Sequence, residues 1–135
     1  MRRAALACCA GLALTAAAAG AAELCADGPA LRAQGLPALA AEYRQLNVQR
    51  GHFDGGAWLA PIDRWGERKQ CVMDALRELL AQQRPPLDWL LGQLGPPDAR
   101  HDDLLWYRWR GTRDGLAVTI VAGRVAAVAW RYAGE

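Results

Sequence analysis

The apolar residues of this chain change period at Leu104, and that change limits the fold more than any other feature. Upstream they recur at helical spacing. Leu36, Leu39, Ala40, Tyr43 and Leu46 predict a helix over 37–47, opened by Pro37 in its first turn. Trp65, Lys69, Val72, Leu76, Leu79 and Leu80 predict a longer helix over 63–83, capped by Asp63 and stopped by Pro85 and Pro86. Leu87, Leu90, Leu91 and Leu94 predict a short third helix that ends at Gly95. Downstream, runs over 104–110, 116–122 and 124–132 are rich in Trp, Tyr, Val and Ile and are separated by glycine-containing turns. Helices followed by strands without alternation predict an α+β fold, with the helices packed on one face of a three-stranded antiparallel β-meander. Between these elements, 23–35 reads as a polar lead-in and 96–103 as a loop. Residues 48–61 read as an ordered loop that Phe53 and Trp58 anchor to the core.

Residues 1–22 stand apart from this pattern. Arg2 and Arg3 precede an alanine-rich apolar run over 4–19, and Ala19-Gly20-Ala21-Ala22 suits cleavage by a signal peptidase. The expected product, 23–135, is a single exported domain. Its 23–62 part forms an N-terminal helix and loop strap, and 63–135 forms a helix-helix-three-strand unit. With the signal removed no transmembrane span is expected. The chain holds 16 Lys and Arg against 14 Asp and Glu, so Arg2 and Arg3 carry the whole formal excess. A neutral domain without a basic block is not built to bind nucleic acid.

Removal of the leader takes Cys8 and Cys9 with it and leaves Cys25 and Cys71. In an oxidising compartment an even pair in a small domain bridges, which predicts a Cys25–Cys71 disulfide and a periplasmic or secreted address. A loop of that length is worth roughly 4 kcal/mol in the chain-entropy description. The competing reading is a free thiol nucleophile. It needs a histidine partner, and neither His52 nor His101 sits in a thiol-enzyme motif.

Other chemistry is sparse. The sequence contains no serine, so serine nucleophiles are excluded. His52 and His101 lie in unrelated loops without ligand spacing, so neither a metal nor a cofactor is expected. Asp102 and Asp103 are sequence neighbours with no implied cleft, which leaves a small hydrolase as the weakest reading. Gly51, Gly55 and Gly56 lack the strand before and the lysine after that a phosphate loop needs.

The segment from Leu87 to Tyr132 resembles a known pattern. A short helix ends in Leu94-Gly95-Pro96-Pro97, a strand carries Trp106-Tyr107-Arg108-Trp109, and further strands surround Gly123-Arg124-Val125. This resembles the SmpA/OmlA (BamE-like) envelope proteins, whose domain is similar to that of the β-lactamase inhibitory proteins. The resemblance implies a non-enzymatic protein that acts by contact with another envelope protein.

Six tryptophans in so small a domain strain the capacity of one core to satisfy every indole N–H. Pairing Tyr107 with Ile120 and Trp109 with Val118 places Leu105, Tyr107, Trp109, Leu116, Val118, Ile120, Val128 and Trp130 under the helices. Trp106, Arg108, Arg110, Thr119, Val121, Val125 and Arg131 then fall on the open face. Of these, Trp106, Arg108, Arg110, Val121, Val125 and Arg131 form the expected partner-binding face, since tryptophan and arginine dominate interface hot spots. The expected function is protein binding or envelope maintenance. An inhibitor or chaperone-like partner of an exported enzyme is the alternative. Intact mass of the exported protein should show a chain beginning at Ala22 or Glu23; retention of Met1, or an acylated Cys8, contradicts the expected address.

Overall fold

The computed structural model describes residues 25–132, and the expected leader over 1–22 lies outside the described residues. The architecture is α+β. Helix α1 (Gly28–Gln34) and helix α2 (Leu36–Asn47) come first, separated by Gly35 at φ 85°, and each carries a proline in its first turn. A 3-10 turn over His52–Asp54 and a one-turn helix α3 (Ala60–Asp63) punctuate the following loop. Helix α4 (Arg68–Gln83) stops where Arg84 takes a left-handed conformation before Pro85, and α5 (Leu87–Leu94) stops at Gly95. Strands β1 (Ala99–His101), β2 (Leu104–Arg110), β3 (Asp114–Val121) and β4 (Arg124–Arg131) follow. Their sheet order is β1-β2-β3-β4, with every neighbour antiparallel.

The sheet therefore has four strands rather than the expected three. Residues 99–101 pair with 104–106 because Asp102 accepts a positive φ of 51° and closes a tight turn. The lead-in likewise contains a helix, α1, whose Leu31 is buried. Helix α4 begins at Arg68, five residues later than expected, because Asp63 spends its carboxylate on loop amides and Glu67 takes the cap position.

Helix α4 lies across the buried face of the sheet against β2 and β4, and α2 packs on α4 and α5. Leu105, Tyr107 and Trp109 from β2 and Leu116, Val118 and Ile120 from β3 face this layer and are buried. The expected faces hold although the expected pairing does not. Tyr107 pairs with Leu116, and Leu105 with Val118, because Arg110 and Asp114 close the hairpin tightly. The difference from the expected pairing is an even number of residues, so no side chain changes face.

Val125 is a correction. The turn at Ala122 and Gly123, both at positive φ, sets Val121 opposite Arg124 and Ile120 opposite Val125. Val125 thus shares the buried face with Ile120 and is 1% exposed. A bulge then inserts Ala126, so that Thr119 pairs with Ala127 and Val118 with Val128. Simple alternation from Val128 back to Val125 gives the opposite face because it omits that extra residue.

A disulfide joins Cys25 to Cys71 with their Cα atoms 5.5 Å apart, tying the start of α1 to the buried side of α4. Non-reducing peptide mapping should recover one linked pair. Reduction should lower unfolding stability by roughly 4 kcal/mol, read from denaturant midpoints; two freely alkylated thiols in the oxidised protein contradict the bridge.

Candidate functional site

The face of the sheet turned away from the helices is built in rows. Arg108, Gly115 and Arg131 form one row, and Ala99, Trp106, Ala117 and Ala129 form the next. His101, Leu104, Thr119 and Ala127 form a third. The central positions are small, which leaves room for the indole of Trp106 to fold across the sheet. Gly115 lies directly beneath it: a Cβ there would meet the Trp106 ring at 2.9 Å and overlap the Tyr107 carbonyl. Trp106 is half-buried as a result, and Ala117 is 3% exposed although it sits on the outer face.

Beside Trp106, a cleft of about 260 Å³ is lined by Asp98, Ala99, Trp106, Arg108, Gly111 and Thr112. The Arg108 backbone N–H donates to Asp98 Oδ2 at 2.8 Å, and its carbonyl accepts the Tyr43 hydroxyl at 3.2 Å. Its guanidinium is less well served. Nη1 reaches Asp54 Oδ1 only at 3.5 Å, and Nε is buried without a hydrogen bond among the described residues.

The expected partner residues therefore divide. Trp106, Arg108 and Arg131 share the outer face, and Val121 is 60% exposed at the far hairpin. Val125 lies in the core. Arg110 is on neither surface: it donates to the Asp63 carbonyl and, at 3.1 Å, to Asp114 Oδ2. Its guanidinium also stacks on the rings of Phe53, 4.3 Å away, and Trp109, 4.0 Å away. The irregularity between Arg108 and Arg110 turns this side chain from the sheet face toward the loop.

That loop is organised by a buried carboxylate. Asp63 is fully buried, and its Oδ2 accepts the N–H groups of His52 at 2.9 Å and Leu59 at 2.7 Å. Its Oδ1 packs on Gly51, where any Cβ would overlap the carboxylate. Asp54 fastens the other end by accepting the Gly111 N–H at 3.1 Å. Phe53 and Trp58 were expected to anchor the loop, yet they are 47% and 51% exposed. Ring contacts among His52, Phe53 and Trp58 make an aromatic patch on an ordered loop. The sequence offers Asp63 as a helix cap and carries no separate sign of this loop-holding role.

Lys69 is the other residue with an unusual environment. It is 1% exposed, its Nζ donates to Asn47 Oδ1 at 3.1 Å, and the Tyr43 ring lies 6.0 Å away. Burial, aided by the nearby Arg108 cation, pushes the amine down to about 8, against the pull of Asp54, Asp98 and Asp63. Burial raises the Tyr43 and Tyr107 hydroxyls in the opposite sense, Tyr107 to about 12.

Among the described residues no group of three or more His, Cys, Asp or Glu side chains converges as a metal site. No described helix is long and apolar enough to cross a membrane. Comparison with family models, curated proteins and solved structures finds no match.

Below pH 8 the folded protein carries Lys69 charged and desolvated, while the unfolded chain holds the same proton without penalty. Between pH 8 and 10 the unfolded chain binds more protons, so stability should rise with pH. The gain should be roughly 2 kcal/mol, before tyrosine ionisation in the unfolded chain reverses the trend. Lys69→Met should flatten this slope in urea titrations at several pH values; an unchanged slope contradicts the assignment to Lys69.

Proposed function

We propose that the chain is an exported binding module that presents the outer face of its sheet to another envelope protein. Residues 1–22 direct it across a membrane to the periplasm or beyond, and the Cys25–Cys71 bridge suits an oxidising destination. The observation that carries the reading is the pairing of Trp106 with Arg108 beside an open cleft. The indole offers a flat apolar surface, and the partly exposed guanidinium, whose ion pair with Asp54 is 3.5 Å long, supplies a cation beside it. A partner that sets a carboxylate next to an apolar side chain matches both. Arg131 in the same row extends the cationic border. The resemblance of the C-terminal half to SmpA/OmlA envelope proteins supports the same reading.

A second form of this function, inhibition of an exported enzyme, is favoured by one observation. The Phe53–Trp58 patch projects from a loop held by buried hydrogen bonds, and a preordered loop loses little entropy when it enters a cleft.

Purified wild type, Trp106→Ala and Phe53→Ala should be compared for capture of partners from envelope extract, with thermal melts alongside. Trp106→Ala should weaken capture by ~2 kcal/mol or more. It should melt far closer to wild type than Trp109→Ala, in which loss of a fully buried indole costs about 3 to 5 kcal/mol. Loss of capture in Phe53→Ala alone selects the inhibitor form. Equal capture by all three proteins overturns both readings.

A further inference from the structure

Lys69 is the only lysine in the sequence, and the fold closes over it. Its ammonium has one hydrogen-bond acceptor, the neutral Asn47 side chain, and takes part in no ion pair among the described residues. A buried cation without a contact ion pair answers to charges set further off. Those that face it come from every element around it: the Tyr43 ring from α2, Asp54 from the loop, Asp63 from α3, Arg108 from β2 and Asp98 from the segment before β1.

Two of the three carboxylates are occupied elsewhere. Asp63 Oδ2 holds the loop amides, and Asp98, exposed to solvent, accepts the Arg108 backbone N–H. Asp54 is different. Its side chain is 8% exposed, and Oδ1, which accepts the Gly111 N–H, lies 3.5 Å from Arg108 Nη1. The Arg108 side chain is 30% exposed and lines the outer cleft beside Trp106. Arg108 thus spans from a nearly buried carboxylate to an open cleft. Tyr43 ties the two cations together, with its ring toward Lys69 and its hydroxyl donating to the Arg108 carbonyl at 3.2 Å.

We propose that Lys69 and Arg108 share the Asp54 carboxylate, and that the proton on Lys69 thereby regulates the outer cleft. The regulatory half rests on the carboxylate binding proposed above. With Lys69 protonated, two cations face one anion, and the surplus positive charge is balanced by a carboxylate that enters the cleft. Without that proton Asp54 neutralises Arg108 alone, and an incoming carboxylate finds no uncompensated cation. Burial sets where this change falls. It brings the Lys69 amine down to about 8, whereas an exposed lysine keeps its proton to about pH 10. Binding should therefore be strong below pH 8 and fade above it, and by linkage a bound carboxylate should hold the proton on Lys69 to higher pH.

A single lysine makes the test direct, because isotope-labelled lysine gives one side-chain NMR signal. Its titration midpoint in the wild type should lie at about 8. Arg108→Gln, which removes the nearby cation, should raise the midpoint. Asp54→Asn, which keeps an acceptor for the Gly111 N–H, should lower it. Saturating sodium benzoate, a carboxylate on a flat apolar ring, should raise the wild-type midpoint above that in equal sodium chloride, and should not do so in Arg108→Gln. Benzoate binding to the wild type should weaken about fivefold or more between pH 7 and pH 9.5. Lys69→Met should bind benzoate at pH 7 as weakly as the wild type does at pH 9.5. A midpoint that Arg108→Gln and Asp54→Asn leave unmoved overturns the sharing of Asp54, and benzoate binding that is absent or independent of pH overturns the regulation. The titrations use no envelope partner, so failed capture from extract removes the binding function while the sharing of Asp54 is judged on the midpoints alone.

Discussion

The buried carboxylate of Asp63 is the interaction on which the rest of the molecule depends. A carboxylate taken wholly out of water is costly unless hydrogen bonds replace its hydration; here the amides of His52 and Leu59 serve Oδ2, while Oδ1 is buried without a hydrogen bond among the described residues. Drawing both amides onto one oxygen closes the loop between them. The carbonyls of Ile62 and Asp63 then face β2, where they accept the Trp109 indole N–H at 2.9 Å and the Arg110 guanidinium. One acid thus joins the helical and strand halves of the chain. The largest buried side chain in the core owes its polar partner to the turn that Asp63 stabilises.

From that junction the aromatic side chains spread in two directions. Trp109 meets Trp65 and Trp130 edge-on, and Trp130 stacks on Tyr132 while its indole N–H donates to Asp74 Oδ1 at 2.9 Å. This branch runs toward the β4 edge. The other passes through Arg110 to Phe53 and the exposed loop. Arg110 is held to the loop by the Asp63 carbonyl and the Phe53 ring, whereas Arg108 reaches it only through Asp54 at 3.5 Å. Two arginines close together on one strand therefore have different availability, set by the irregularity between them.

Much of this was legible in the sequence where periodicity carries the information. The stripe from Val72 to Leu80 marks α4, and the alternation from Leu105 to Trp109 assigns the faces of β2 correctly. A hairpin pairing error of even length leaves those faces intact, so Tyr107 is buried as expected while its partner differs. Val125 and Arg110 were not legible, since each lies next to a bulge and an extra residue leaves no mark on hydropathy. Phe53 and Trp58 illustrate a different limit: apolarity says that a residue gains from burial, not that the fold provides it. Asp63 reads in the sequence as a helix cap, because the amides it holds come from backbone geometry that composition does not encode.

The linkage of Cys25 to Cys71 bears on the order in which the molecule assembles. Every sheet neighbour is also a sequence neighbour, so the strands form hairpins from short-range contacts. The first helices have no such advantage. Helices α1 and α2 emerge first during synthesis, yet the surface they pack on is α4, which follows after the long loop. Cys25 must wait unpaired until that helix has appeared. The bridge therefore waits on α4 and fastens Cys25 to a helix residue 46 positions further along the chain.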